Sequence, residues 1–224
     1  MPKNKLLFTV QFVLLALLFV SCGKKMAGED GGAMDVGSFD KNVYHNKFFA
    51  MTLTVPPDWV IQNEEEREHL QKMGTKLLVG DDKNLEATVK AGKHSSGNLF
   101  SVFEYPQGSP VTFNPSIASV ATDVSHLPGI KRGKDYQFQL KTLLESGAIQ
   151  AEFPNNGETY VRKVGGVDFD VMDVEMHIRK IVIKQKYYST IMKGYALSFI
   201  ISSGDDDQQA ALQKILESVS FGQQ

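Results

Sequence analysis

Carboxylates and an imidazole crowd one short stretch of the chain: Asp168, Asp170, Asp173, Glu175 and His177. On a regular strand successive side chains point to opposite faces, so Asp173, Glu175 and His177 share one face and make a candidate ligand set for a divalent ion. The apolar residues permit a second reading. Val167, Phe169 and Val171 have one parity, whereas Val174, Met176 and Ile178 have the other. A bulge near Met172 or Asp173 would put every polar residue of the stretch on one wet face. A solvated face is the preferred reading, and the metal set is the alternative.

Other reactive residue types lack the company their chemistry needs. Ser95 lies beside His94 in the glycine-bounded run 92–97, but a nucleophile elbow needs glycine two residues either side of the serine, and Lys93 stands there. A hydrolase acting through Ser95 or Ser96 is therefore the weakest reading. The histidines at 45, 69, 94, 126 and 177 show no i, i+3 or i, i+4 pair, so no local zinc pattern exists. Gly133-Lys134 lacks the upstream glycine and following hydroxyl of a phosphate loop, and no G-x-G-x-x-G occurs. No catalytic residue and no cofactor is assigned, and the chain reads as a non-enzyme. Tyr187, Tyr188 and Tyr195 could line an apolar cleft, although aromatic residues on adjacent strands more often pack across the sheet.

The chain has 224 residues, 24 basic against 26 acidic, 42% hydrophobic, with one cysteine. That suits one globular domain, excludes an intrachain disulfide, and supplies no basic field for nucleic acid. Lys3 and Lys5 precede an apolar run from Leu6 to Val20, which is shorter than the roughly 20 residues a spanning helix needs. Residues 1–21 read as a signal peptide. Ser21-Cys22 at its end resembles the lipobox of bacterial lipoproteins, although Phe19 replaces the usual leucine. The resemblance implies diacylglycerol on the Cys22 thiol, cleavage before Cys22, and acylation (palmitate among the chains) of the new amine. Two or three chains suffice for stable anchoring where one is marginal. Residues 22–40 follow as a lipidated, glycine-rich flexible tether, and 41–224 as a single domain. Gly23 is not the aspartate that holds enterobacterial lipoproteins in the inner membrane, so by that resemblance the outer membrane is expected.

The elements that position these residues follow from periodicity. Alternation over 48–55 predicts a strand, stopped by Pro56-Pro57, with Trp59 as a lid on the core. Asn63 caps a helix from about Glu64 with Leu70, Met73 and Leu77 on its apolar stripe. Residues 80–96 are ambiguous between helix and loop, and 99–105 reads as a strand. Asn114-Pro115 reads as a cap with proline at the first helical position. The spacing of Ile117, Val120, Ala121 and Val124 then predicts a helix ending near Pro128-Gly129. A further helix is predicted over 134–145. Strands follow at 149–153, 159–164, 167–177, 181–191 and 195–202, with Asn155-Asn156-Gly157, Gly165-Gly166 and Lys193-Gly194 as hairpin turns. Asp205 to Asp207 start a last helix with Leu212, Ile215, Leu216 and Val219 inward. The fold class expected is α+β, a central antiparallel sheet flanked by helices on its faces.

Particular residues strengthen this. Tyr44, Phe49-x-Met51-x-Leu53-x-Val55-Pro56-x-x-Trp59, then Gly165-Gly166, Gln185-x-Tyr187-Tyr188, Lys193-Gly194-Tyr195-x-Leu197 and Leu212-x-x-Ile215-Leu216-x-Ser218-Val219-x-Phe221 resemble PsbP-like domains. That superfamily includes photosystem PsbP proteins, Ran-binding Mog proteins and the lipoprotein DcrB. The resemblance implies a PsbP-like α-β-α sandwich and an accessory or binding role with a protein partner, and it carries over no functional residue. The expectation is a membrane-anchored envelope module held through Cys22. The alternative is a periplasmic solute or metal receptor using Asp173, Glu175 and His177 or the tyrosine cleft.

Overall fold

The computed structural model describes residues 34–92, 96–178 and 180–222. Cys22, the signal-peptide segment, the tether up to residue 33, His94 and Ser95 lie outside them. In chain order the elements are β1 (Ser38–Asp40), β2 (Val43–Asn46), β3 (Met51–Thr54), β4 (Val60–Ile61), α1 (Glu64–Val79), α2 (Lys83–Gly92), β5 (Ser96–Phe103) and β6 (Ser116–Asp123). There follow α3 (Gly133–Glu145), β7 (Gln150–Glu152), β8 (Tyr160–Val164), β9 (Val167–Ile178), β10 (Ile181–Met192), β11 (Tyr195–Ser203), α4 (Asp206–Glu217) and β12 (Ser220–Phe221). The fold is α+β. The larger sheet has the order β4-β5-β6-β11-β10-β9-β7, with β8 also on β9, and a smaller sheet has the order β1-β2-β3-β12.

Two apolar clusters occupy opposite faces of the larger sheet, and alternate residues of its long strands divide between them. Phe169 and Val171 of β9, Tyr188 of β10 and Leu197, Phe199 and Ile201 of β11 join Leu212, Ile215 and Leu216 of α4 and Tyr44, Phe49, Met51 and Leu53 of the smaller sheet. Met172, Val174 and Met176 of β9, Ile183 and Tyr187 of β10 and Ile200 of β11 meet Leu70 and Leu78 of α1, Leu85 and Val89 of α2 and Leu140 and Leu144 of α3. The hairpins at Gly165-Gly166 and Lys193-Gly194 form as the turn residues predict, with positive φ at all four positions.

Several expectations change. Residues 116–123 form a strand and not a helix: β6 pairs with β5 on one side and β11 on the other. Both of its faces are buried, Ile117 and Ala121 in one cluster and Ala118 and Val120 in the other, so its apolar residues show no period of two and imitate helical spacing. Asn114 caps nothing; its side chain accepts from the Tyr105 amide and donates to the Tyr105 carbonyl. The ambiguous stretch after Gly80 is helical in α2. Asn155-Asn156-Gly157 makes a 3-10 turn, and β7 and β8 pair with β9 rather than with each other. Residues 34–40, read by composition as tether, belong to the packed domain: Met34 is buried and β1 pairs with β2.

Candidate functional site

β9 runs in unbroken register with β10 from Ile178↔Ile181 to Asp170↔Ser189, so no bulge interrupts it at Met172 or Asp173. Asp173, Glu175 and His177 therefore continue the face of Phe169 and Val171, and that face turns from apolar to polar midway along the strand. The expected single wet face does not form, because Asp170 points to the opposite side and is buried. The outer edge of β9 changes partner at the same place. β8 pairs with residues 167–171, and β7 with 175–177.

At the changeover Asp173 is committed to an ion pair. Lys186, directly opposite on β10, donates from Nζ to Asp173 Oδ1 at 2.6 Å and to Tyr160 Oη at 3.2 Å, and Tyr160 Oη donates to the same carboxylate at 3.2 Å. Burial pushes the Lys186 ammonium pKa down, but the bonds to Asp173 and Tyr160 outweigh it, and the net shift is upward. Asp173 thus leaves the sequence-predicted trio. Beyond it the register sets Glu152 of β7 opposite Glu175 and Gln150 opposite His177. Glu152, Glu175 and His177 bring one ligand atom each to within 4.8 Å of one another. His177 Nε2 stands 3.3 Å from Glu152 Oε1 yet outside hydrogen-bond geometry, and it is buried without a partner. Gln150 Nε2 donates to Glu152 Oε1 at 3.1 Å.

The remaining candidates fall elsewhere. Asp168 is exposed and pairs with Lys163 at 2.7 Å. Asp170 accepts from Arg132 Nη2 at 2.9 Å and from the Lys134 amide at 3.0 Å at the start of α3. Gln137 on the next turn donates to the carbonyls of Asp170 and Tyr187 at 2.8 and 2.6 Å. Its Oε1 is buried without a partner, and Gln137 lines a cavity of about 650 Å³ between α3 and the segment 156–159. Ser96 is buried in β5 and shares a hydrogen bond of 3.0 Å with Thr122, which is 3.0 Å from Tyr136 Oη. The tyrosines form no cleft: Tyr187 and Tyr188 enter opposite clusters, and Tyr195 packs edge-on against Phe48 and Phe49. Burial raises the phenol pKa of all three. Sequence reasoning missed Glu152, because a strand that skips its neighbour to pair with β9 leaves no local signal.

No protein-family model matches the chain, and no curated protein matches its sequence. Among solved structures, PsbP of the cyanobacterium Synechocystis sp. PCC 6803 superposes with a TM-score of 0.50 at 13% identity, over 83% of this chain and 96% of that one. The fold is PsbP-like. Lesser likenesses are LpqN of Mycobacterium tuberculosis, described as involved in cell envelope biogenesis (TM-score 0.43, 15% identity, 76% of this chain and 82% of that one), and the Saccharomyces cerevisiae Ran-binding protein Mog1p (0.41, 10%, 81% and 95%). Of the residues that carry the sequence resemblance, Phe49, Leu53, Tyr188, Leu197 and Leu212 sit in one buried cluster and Tyr187 in the other.

Proposed function

We propose that the chain is an accessory or binding module of the bacterial cell envelope, without catalytic activity, that a lipid at Cys22 tethers to a membrane. The observation that carries this reading is the placement of the single cysteine: it follows a basic start and an apolar run, and a glycine-rich segment separates it from the first strand at Ser38. Among the described residues no helix is long and apolar enough to cross a membrane; this reading places the membrane contact in the acyl chains on Cys22. Gly23 favours the outer membrane, and the body of the domain is an α-β-α sandwich in which buried clusters back both faces of the larger sheet. The PsbP-like fold supports a role in holding a protein partner, since its long strands spend their side chains on packing.

Intact mass of the membrane-extracted protein beside Cys22→Ala, after detergent phase partitioning, tests the reading. The expected result is a lipid-sized increment on a fragment beginning at Cys22, with the variant moving to the aqueous phase. An unmodified, freely soluble wild-type product would overturn it.

A further inference from the structure

We propose that Glu152, Glu175 and His177 form a divalent-cation site of the zinc class at the β7–β9 edge. It is independent of the anchor. The first ground is electrostatic. Glu152 and Glu175 face each other across an antiparallel pair, an arrangement that destabilises a sheet when both are charged. The cation nearest in register relieves it only in part: Lys184, opposite Glu175 on β10, bonds Asp206 at 2.8 Å and acts on Glu175 through space alone. A cation between the two carboxylates converts that repulsion into attraction.

The second ground is the imidazole. His177 lies two residues beyond Glu175 on the same face, and its Nε2 is buried without a hydrogen-bond partner although a carboxylate oxygen is 3.3 Å away. A buried ring nitrogen that makes no hydrogen bond, with a carboxylate oxygen close by, has a lone pair free for an ion the two would share.

The third ground is geometric. Zinc takes imidazole nitrogen and carboxylate oxygen at about 2.0–2.2 Å in a tetrahedron, which sets ligand atoms roughly 3.4 Å apart. The 3.3 Å between His177 Nε2 and Glu152 Oε1 matches such an edge, and the full set lies within 4.8 Å. Gln150, bonded to Glu152 Oε1, is the outer residue that orients this ligand. Three protein ligands leave one position for water or for a group from a bound partner. One imidazole with two carboxylates selects the zinc class over calcium and magnesium, which take oxygen sets.

The test is calorimetric titration of the full chain, purified in detergent and stripped of metal, with zinc chloride and separately with calcium and magnesium chloride. The expected result is one saturable zinc site, absent in His177→Gln, weakened at least tenfold in Glu152→Gln and Glu175→Gln, and no saturable heat with calcium or magnesium. These isosteric or near-isosteric changes sit at a half-exposed sheet edge, so the metal-free variants should fold, with melting temperatures at or slightly above that of the wild type as the glutamate repulsion is removed. Nuclear magnetic resonance of the wild type gives a second readout that needs no variant: zinc should shift the His177 ring signals before those of His45, His69, His94 and His126. Absence of saturable zinc heat, binding retained by His177→Gln, or another histidine shifting first would each overturn the proposal.

Discussion

Asp170 shows how little a residue's type says about its task. In sequence it belongs to an acidic run, yet its carboxylate is buried against Arg132 and the Lys134 amide in the first turn of α3, while Asp168 two residues away is in solvent. Asp170→Ala removes two hydrogen bonds to a charged acceptor, and because Arg132 is 55% exposed and can rehydrate, the expected cost is about 2 kcal/mol in urea unfolding. Gly133 beside it is a sharper constraint. A Cβ there would stand 1.9 Å from the Ser189 carbonyl oxygen, so Gly133→Ala should destabilise by about 3 kcal/mol or more, as α3 must lift off β10. Gly129→Ala, with nothing within 4 Å, is the matched control and should change stability by less than about 0.5 kcal/mol in the same measurement. The candidate cation site was legible only in part. Glu175 and His177 could be read from the period of one strand, but Glu152 arrives from a strand whose partner only the tertiary fold specifies.

Elements were legible where their own residues terminate them. α1 begins at a reciprocal cap in which Asn63 Oδ1 accepts from the Glu66 amide at 2.9 Å and Glu66 Oε2 accepts from the Asn63 amide at 2.8 Å. Asn63→Ala should cost about 1 kcal/mol and Asn63→Asp almost nothing, measured as a shift in the unfolding midpoint. α4 starts with the forward half of such a cap, Asp205 Oδ1 accepting from the Gln208 amide at 2.8 Å, while the Gln208 side chain accepts from the Gly204 amide. β6 was illegible for the opposite reason. Buried on both faces and paired along both edges, it takes its character from neighbours far away in sequence, and an Asn-Pro pair that serves a loop looks like a helix start. The short strands β1, β4 and β12 carry too few residues for any period to show, and the smaller sheet built from β1, β2, β3 and β12 went unforeseen beyond the strand around Met51.

Both apolar clusters of the molecule contain buried phenols. Burial raises the pKa of Tyr44, Tyr187 and Tyr188 well above the ordinary tyrosine value, and Lys186 is also shifted upward. For each group the folded value exceeds the unfolded one, so its contribution is fully present below the unfolded pKa of about 10 and is lost as pH rises through the folded value. Stability should be flat through neutral pH and fall above about pH 10. Each fully buried phenol adds roughly 1.4 kcal/mol per pH unit to the slope once its unfolded form ionises. Urea midpoints across pH 8 to 11 with tyrosinate absorbance check this: the absorbance of the buried phenols should appear together with unfolding and not before it. Tyr44 has a further consequence, mechanical in kind. Its hydroxyl donates to the Val36 carbonyl at 2.6 Å, Asn46 donates to the Asp35 carbonyl at 2.7 Å, and Gly37 fits against Tyr44 where no Cβ has room. A pull along the chain from the side of residue 34 loads this knot first. Only after it yields does β1 peel from β2, starting at the Ser38↔His45 end and breaking its bonds one after another, each freed residue paying out about 3.3 Å of slack. The junction is a fuse in series with the body of the domain: under a tension both share, its three paired positions yield while the long ladders of the eight-stranded sheet hold their register.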